Sequence, residues 1–424
     1  MARILTPVDA CAIVQLMVDE MTGQSATIQT VNAENFVSVG ENILNAGTEN
    51  TLNTLALVLG RSFMAVRPYK AKLAILNSLN SGLYANRIRK ISYYARSAQN
   101  SGAFNTSDNS GSTLYTNHAM GYDNGSNGGA SLGTMWEQNQ PVPLELNFGG
   151  RSVWDDSTTV YEIQLQAAFK SPEDFAQFVN GIMVEKGNDI ESQKEGFNRM
   201  TLLNYMAGIY DLNAVNGAAI DMTAAYNTDR ALSPALTTAQ ILGNPTVLKD
   251  FVEFFVYTVK VLSDQLTHRS IKYHWSPSKT IGGTTYELLR HTPKDKQKLI
   301  LYKPFWVRAE ATVMPEIFNP EYLKIENFEG VDYWQNENDP MAIDVTPSIP
   351  DTSSPGAQTV GANVALDNVL GVLYDEDAIM IDYQLDEAYS TPVEARKRYR
   401  NMWWHFAKNA INDFTENGIL LYMG

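Results

Sequence analysis

Residues 401–424 read "NMWWHFAKNAINDFTENGILLYMG". Adjacent tryptophans, Trp403 and Trp404, are followed by an apolar run, Ile419-Leu420-Leu421-Tyr422-Met423. Chain ends ordinarily fray and are polar. Large apolar side chains here have two readings: a strand inside a core, or a surface that another subunit covers. Just upstream, "EARKRYRN" (394–401) is the densest positive charge of the chain, with Arg396, Lys397, Arg398 and Arg400. It reads either as a solvated loop or as an inter-subunit contact pairing with acid elsewhere. Exposed ion pairs contribute only ~0.2–1 kcal/mol each, so such a contact sets register more than affinity. Before it, "NVLGVLYDEDAIMIDYQLDEAY" (368–389) reads as two apolar strands around a turn at Asp375-Glu376-Asp377.

Working further back, residues 335–368 are rich in Pro, Asn, Asp, Ser and Gly and read as loop. "IENFEGVDYW" (325–334) and "KLILYKPFWVRA" (298–309) read as strands. "ATVMPEIFNPEYL" reads as a short helix broken at Pro315 and Pro320. In "PTVLKDFVEFFVYTVKVLSDQL" (245–266), Phe251, Phe255, Val259, Leu262 and Leu266 share one face. Val252, Phe254 and Val256 widen that face, so this helix is expected to be buried on more than one side. Residues 171–211 predict a long helix or two in line. Ser171 caps it, Pro172 takes the first position, and Glu173 and Asp174 suit the positive end of the dipole. Phe175, Phe178, Val179 and Ile182 make its core stripe, which resumes with Phe197, Met200, Leu203 and Tyr210.

The first third is looser. "LELNFGGRSVWDDSTTVYEIQLQAAF" (144–169) alternates as a half-exposed strand, and "ANRIRKISYYARSA" (85–98) as another. Together they predict the arms of a long hairpin. Residues 100–133 between them, Gly-, Ser- and Asn-rich, bury too little apolar surface to build a core. Arg87, Arg89, Lys90 and Arg96 among aromatics fit single-stranded nucleic acid, a solvated strand face or a subunit contact. Residues 1–60 read as amphipathic helices, with Leu44, Leu52, Leu55 and Leu59 at helical spacing and Pro7 opening the first after Thr6. That first segment reads as a helix and not a signal peptide, because Asp9 and Asp19 interrupt it.

The 424 residues allow two or three packed units. With 44% apolar and 19% charged residues, and no apolar run of spanning length, the expectation is a folded chain without a membrane segment. A single cysteine, Cys11, excludes an internal disulfide framework and a Cys-rich zinc site, and fits synthesis in a cytoplasm. A net charge of −15 argues against tight nucleic-acid binding by bulk electrostatics. An acidic wall instead lets neighbouring DNA slide. No phosphate loop, dinucleotide fingerprint, zincin helix or nucleophile elbow is present. His118, His268, His274, His291 and His405 form no paired motif, and His274 and His405 beside tryptophans read as packing residues. Asp155-Asp156 and Asp375-Glu376-Asp377 sit at expected turns, where acids occur for local reasons. The order of elements is α+β, without βαβ repeats or solenoid periodicity.

The tail "ARKRYRNMWWHFAKNAINDFTENGILLYMG", with "GVLYDEDAIMIDYQLDEAYSTP" and "LILYKPFWVRAEATVMPEIFNPEYL", resembles major capsid proteins of tailed double-stranded-DNA bacteriophages. These have the Hong-Kong-97-type fold, shared with encapsulin cages. The resemblance implies an N-terminal arm (1–60) and an extended β-hairpin loop region (61–170) carrying 100–133 as tip or insertion. It implies a peripheral domain from 171–211, the spine helix, plus 386–424, and an axial domain over 212–385. The closing segment becomes a long peripheral-domain strand. Met402, Trp404 and Phe406 then face one side, Trp403 and His405 the other.

The implied function is a structural one, not an enzyme. Copies self-assemble as pentamers and hexamers into an icosahedral shell around packaged double-stranded DNA. Partners are the chain itself, with scaffolding, portal and decoration proteins as further candidates, and DNA without sequence-specific contacts. The place is the virion, after synthesis in the host bacterial cytoplasm; no cofactor or metal is expected. Expected subunit-interface residues are Arg87, Arg89, Lys90, Arg96, Asp155, Asp156, Arg396, Lys397, Arg398 and Arg400. Expected peripheral-domain core residues are Phe175, Phe178, Phe197, Trp403, Trp404 and Phe406. Alternatives are an encapsulin-like nanocompartment shell and, from another class, a carbohydrate-active enzyme or glycan binder using Asp155 or Asp156.

Overall fold

The computed structural model describes residues 7–22, 31–45, 72–73, 76–79, 87–94, 141–150, 152–277, 279–281, 284–312, 327–351 and 357–424. Leu52, Leu55, Leu59, Arg96, the stretch 100–133, Pro315 and Pro320 lie outside them.

A single ribbon organises the chain. Strands β14 (Val369–Asp375) and β15 (Ile379–Ser390) run out, and β16 (Tyr399–Asn412) and β17 (Gly418–Tyr422) run back. β15 pairs antiparallel with β16, and β14 with β17, so residues 369–422 form one long hairpin bent between two sheets. At the bend, Asp413 N donates to Ala378 O (2.8 Å) and Asp375 N to Asn417 O (2.9 Å). The two apolar strands around Asp375-Glu376-Asp377 are therefore not partners of each other. The tryptophan pair and the closing apolar run likewise sit in different sheets, not in one peripheral strand.

The inner end of the ribbon is the centre of a five-stranded sheet, ordered β5 (Ala219–Asp221), β17, β14, β8 (Gln297–Tyr302), β9 (Asn327–Val331). Every residue of β8 and β14 is buried, because both faces are covered. The continuous apolar run 419–421 follows from that, since a strand buried on both sides has no polar face. At Gly371 an added Cβ would lie 2.5 Å from Ile300 O, so only glycine admits the close approach of β8.

The outer end is a four-stranded sheet, ordered β1 (Asn77–Leu79), β15, β16, β4 (Ser152–Tyr161). Here β16 alternates between half-buried and buried from Tyr399 to Phe406, as one covered face requires. Met402, Trp404 and Phe406 point inward. They join Val160, Phe36, Phe169, Phe175 and Val179 in a core roofed by α1 (Pro7–Thr22), α2 (Phe36–Asn45), α3 (Glu162–Ala168) and the start of α4 (Pro172–Asp211). Trp403 lies half-buried on the opposite face, outside that core. Phe178 packs at its margin, whereas Phe197 packs against the other, larger core around the five-stranded sheet.

The long helix α4 is one uninterrupted helix of 40 residues, about 60 Å long. Ser171 Oγ accepts from Asp174 N at 3.1 Å. Its first half feeds Phe175 and Val179 into the smaller core, and its second half feeds Leu202, Tyr205, Met206 and Ile209 into the larger. Met200, on the expected stripe, is exposed.

Three segments differ from the sequence reading. Residues 162–168 are helix α3, not a continuing strand: Glu162, Leu165 and Ala168 are buried at helical spacing. Strand β8 ends at Tyr302, and Lys303–Thr312 is helix α9. The 335–368 segment holds four short strands, β10 (Ile343–Val345) with β13 (Val364–Leu366), and β11 (Ser348–Pro350) with β12 (Gln358–Val360). Three-residue strands are too short to carry a legible alternation. After α4 come the small helix α5 (Asn213–Asn216) and then, beyond edge strand β5, the small helices α6 (Met222–Asp229) and α7 (Thr238–Gly243). The amphipathic helix α8 (Pro245–Leu266) then buries Phe251, Phe255, Val259, Leu262 and Leu266. A two-residue-linked ribbon, β6 (Lys279–Ile281) with β7 (Thr284–Tyr286), follows.

Candidate assembly interface

Strands β2 (Arg87–Tyr93) and β3 (Pro143–Gly149) pair antiparallel over seven residues, Arg87 against Gly149 through Tyr93 against Pro143. These are the expected hairpin arms, although only the start of the 144–169 segment takes part; β4 pairs with β16 instead. The hairpin has two unlike faces. Its inner face sets Leu144, Leu146 and Phe148 with Tyr94, Leu288 and Ile411 in a third core. Its outer face carries Arg89, Ile91 and Tyr93, with Tyr93 60% exposed. Arg89 pairs with Glu145 at 2.7 Å, and that hydrogen-bonded pair holds the Glu145 carboxyl below its ordinary range.

A part-buried ionic latch fixes the hairpin base to the bend of the long ribbon. The Lys90 ammonium contacts the carboxylates of both Asp413 and Glu416. Arg290 donates to Ser92 Oγ (2.7 Å) and Thr415 O (3.1 Å), and lies 3.4 Å from Glu416. Desolvation pulls the Lys90 ammonium down, but the two carboxylates outweigh it and leave its pKa raised. Burial pushes the Glu416 carboxyl up against the opposing pull of Lys90 and Arg290. Asp413 also accepts from Thr415 N (2.9 Å) and Thr415 Oγ1 (2.6 Å), so the turn that presents it is itself ordered. Beside this latch His274 is wedged between Lys272 O (3.0 Å) and Leu288 O (2.9 Å), a packing role. Burial lowers its pKa.

The expected interface residues therefore divide. Arg89, Asp155, Arg396, Lys397 and Arg398 are exposed. Lys90 is turned inward into the latch. Asp156 is half-buried and pairs with Lys186 on helix α4 at 2.8 Å, and Arg400 is buried. Arg87 opens β2. Asp375, weighed as an acid/base group, is buried, raised in pKa by that burial, and accepts from Thr292 Oγ1 (2.7 Å) and Asp377 N (2.9 Å). It closes a turn. The sequence reading missed the acceptors Asp413 and Glu416 and the donor Arg290. Their one signal was the tight "NDFTENG" turn between strands.

Among the described residues no group of three or more His, Cys, Asp or Glu is placed to hold a metal ion, and no helix is long and apolar enough to cross a membrane. What the described surface offers is a braced, two-faced hairpin and an exposed cationic turn. Residues 150–422 match the family described as Phi29-like phage major capsid protein. The chain belongs to that family.

A phage capsid protein is thus an α+β chain here, and its role lies in the capsid of the virion. Among solved structures, it is similar to a chain from the capsid of Staphylococcus phage Andhra, with 10% identity, 84% of each chain covered and a TM-score of 0.48. A chain from the mature capsid of bacteriophage PhiM1 matches at 10% identity and TM-score 0.41, over 84% of this chain and 87% of that one. One from the capsid of a cyanophage, P-SCSP1u, matches at 10% and 0.42, over 84% and 89%. No curated protein matches.

Proposed function

We propose that this capsid protein is the repeating tile of an icosahedral shell. Copies associate as hexamers and pentamers and enclose packaged double-stranded DNA, and the architecture is of the Hong-Kong-97 type. The observation that carries the reading is the family match over 150–422. The hairpin geometry supports it. A ribbon locked at its base by a part-buried latch, yet exposing Ile91 and Tyr93 on its far side, is built to lie on something else. In this reading Arg87, Arg89 and Arg96 belong to that overlapping arm, and Asp155, Arg396, Lys397 and Arg398 to neighbouring edges. Many weak contacts then act together, because closure converts each further contact into an intramolecular one. The net charge of −15 suits a wall that confines DNA without gripping it. Scaffolding, portal and decoration proteins are the further partners a closed shell calls for.

The test is electron microscopy of the purified chain across salt concentrations, with and without co-expressed scaffolding protein. Closed particles with fivefold and sixfold clusters are expected. Monomers alone under every condition overturn the reading.

A further inference from the structure

We propose that the cationic turn at 395–398 of one copy seats on the open half of the outer sheet face of a second copy, against Asp155 and Glu387. The proposal rests on the shell reading above and names one contact within it.

Among the described residues, the outer face of the four-stranded sheet is covered over only half its length. Toward the bend, Ile411 and Met380 lie under the hairpin base. Toward the turn, the same face is open. There Val153 is 57% and Tyr389 59% exposed, and Trp403 and His405 are half-buried. The strand register puts three charged or titratable residues in one row across this open half. His405 on β16 stands opposite Asp155 on β4 and opposite Glu387 on β15. The Tyr389 ring packs edge-on against His405 (5.6 Å between centroids), and its hydroxyl donates to Glu387 at 2.6 Å. Asp155 is exposed and makes no ion pair among the described residues.

At the end of the same ribbon, the turn is rigid and cationic. Glu394 bridges Tyr399, its carboxylate accepts from Lys397 N at 2.5 Å, and its carbonyl accepts from Arg398 N at 2.8 Å. Arg398 adopts a left-handed backbone (φ 49°) that closes the turn. Arg396, Lys397 and Arg398 are all exposed; Arg398 comes no nearer than 3.8 Å to Glu162, while Arg396 and Lys397 have no ion-pair partner among the described residues.

Charge complementarity selects the occupant. In a chain of net −15, Asp155 on the acidic row and Arg396 and Lys397 on the cationic turn have no ion-pair partner among the described residues, and Arg398 has only its 3.8 Å contact to Glu162. They cannot satisfy each other in the same copy. From Tyr399 to His405 is six residues of extended strand, about 20 Å, and the ordered turn does not fold back. A second copy offers its turn without that constraint. The contact joins two different patches, so copies that engage it head to tail propagate it or close a ring, as tiling requires. Exposed pairs contribute little affinity singly; their effect is register, with Tyr389 and Trp403 supplying contact area beneath them.

Two experiments test it together. In the first, Arg396→Glu with Lys397→Glu, and separately Asp155→Lys with Glu387→Lys, are compared with the four-fold variant carrying both reversals, at about 0.1 M salt. Like-charge juxtaposition should lower shell yield in each double variant by about tenfold or more, and the four-fold variant should recover it. Thermal unfolding of each monomer serves as the control for folding. Double variants that assemble like the parent overturn the proposal, and so does a folded four-fold variant that does not recover. In the second, differently tagged copies carrying Lys397→Cys and Asp155→Cys are mixed under oxidising conditions. A mixed-tag disulfide dimer supports the contact even if no shell closes, in which case the shell reading alone falls. Shells without that dimer, and without a charge effect, leave the shell reading standing and remove the contact.

Discussion

The two sheets are built from one ribbon yet differ in kind. In the five-stranded sheet, β8, β14 and the first four residues of β17 are buried on both faces. In the four-stranded sheet, β4 is mostly exposed, and β16 is covered on one face until the hairpin base closes over its end. The first is finished within the chain. The second is left unfinished, and the proposed shell role gives a reason to leave it so. Burial spent inside the protomer gives stability, whereas surface left open is available for association.

This contrast can be broken most forcefully from inside the finished sheet. Leu373→Ala should destabilise the isolated chain by ~2–5 kcal/mol, because Leu373 is fully buried between both neighbours and the site has little room to collapse. Trp404→Ala should cost a similar ~3–5 kcal/mol, read by denaturant unfolding. An equal loss for Trp403→Ala would erase the difference between the faces of β16.

Gly371→Ala comes next. Its Cβ meets Ile300 O and Leu301 Cδ2, so β14 and β8 must separate, at ~1–3 kcal/mol. A neutral result would show that the sheet interior yields more than its burial implies.

Lys90→Met sharpens the boundary between the regions. It leaves Asp413 and Glu416 facing each other without their shared cation, and should raise hydrogen exchange across Arg87–Tyr93 while leaving β14 protected. The sign with pH follows from the raised lysine pKa. Its stabilisation is full below the ordinary value of 10.5 and is lost only as pH rises through the higher folded value. Raising the pH from about 6 to about 9 should therefore leave the hairpin as protected as before. Loosening in that window would assign the anchoring to another group.

The smallest effect is expected on the open face. Val153→Thr and Tyr389→Ser should shift monomer stability by no more than ~0.5 kcal/mol. Arg89→Ala should do little more, since its pair with Glu145 is exposed. A large loss at any of these sites would mean the open face is structural after all.

Local order was legible along much of the chain. Ser171-Pro172 with the Phe175, Phe178, Val179 spacing announced the long helix α4, and the alternation through Met402, Trp404 and Phe406 separated the two faces of β16 without saying which is buried, since Trp403 was expected in the core as well. Both follow from backbone geometry, which fixes a period of 3.6 or 2 whatever the partner. The misreading of 162–168 has the same root. Seven residues satisfy either period, and only the burial of Glu162, Leu165 and Ala168 together chose the helix.

The sequence by itself determined the α+β class, the long helices α4 and α8, most of the longer strands and the acidic, single-cysteine character of the chain. Tertiary structure decided the rest: that the last ribbon bends from one sheet into another, that Trp404 and Leu420 serve different cores, and that Lys90 looks inward. Those are pairings between distant segments, Lys90 and Asp413 standing 323 residues apart. Periodicity is a property of neighbours along the chain. Which distant carboxylate an ammonium meets is set by packing, and a one-dimensional pattern does not encode it.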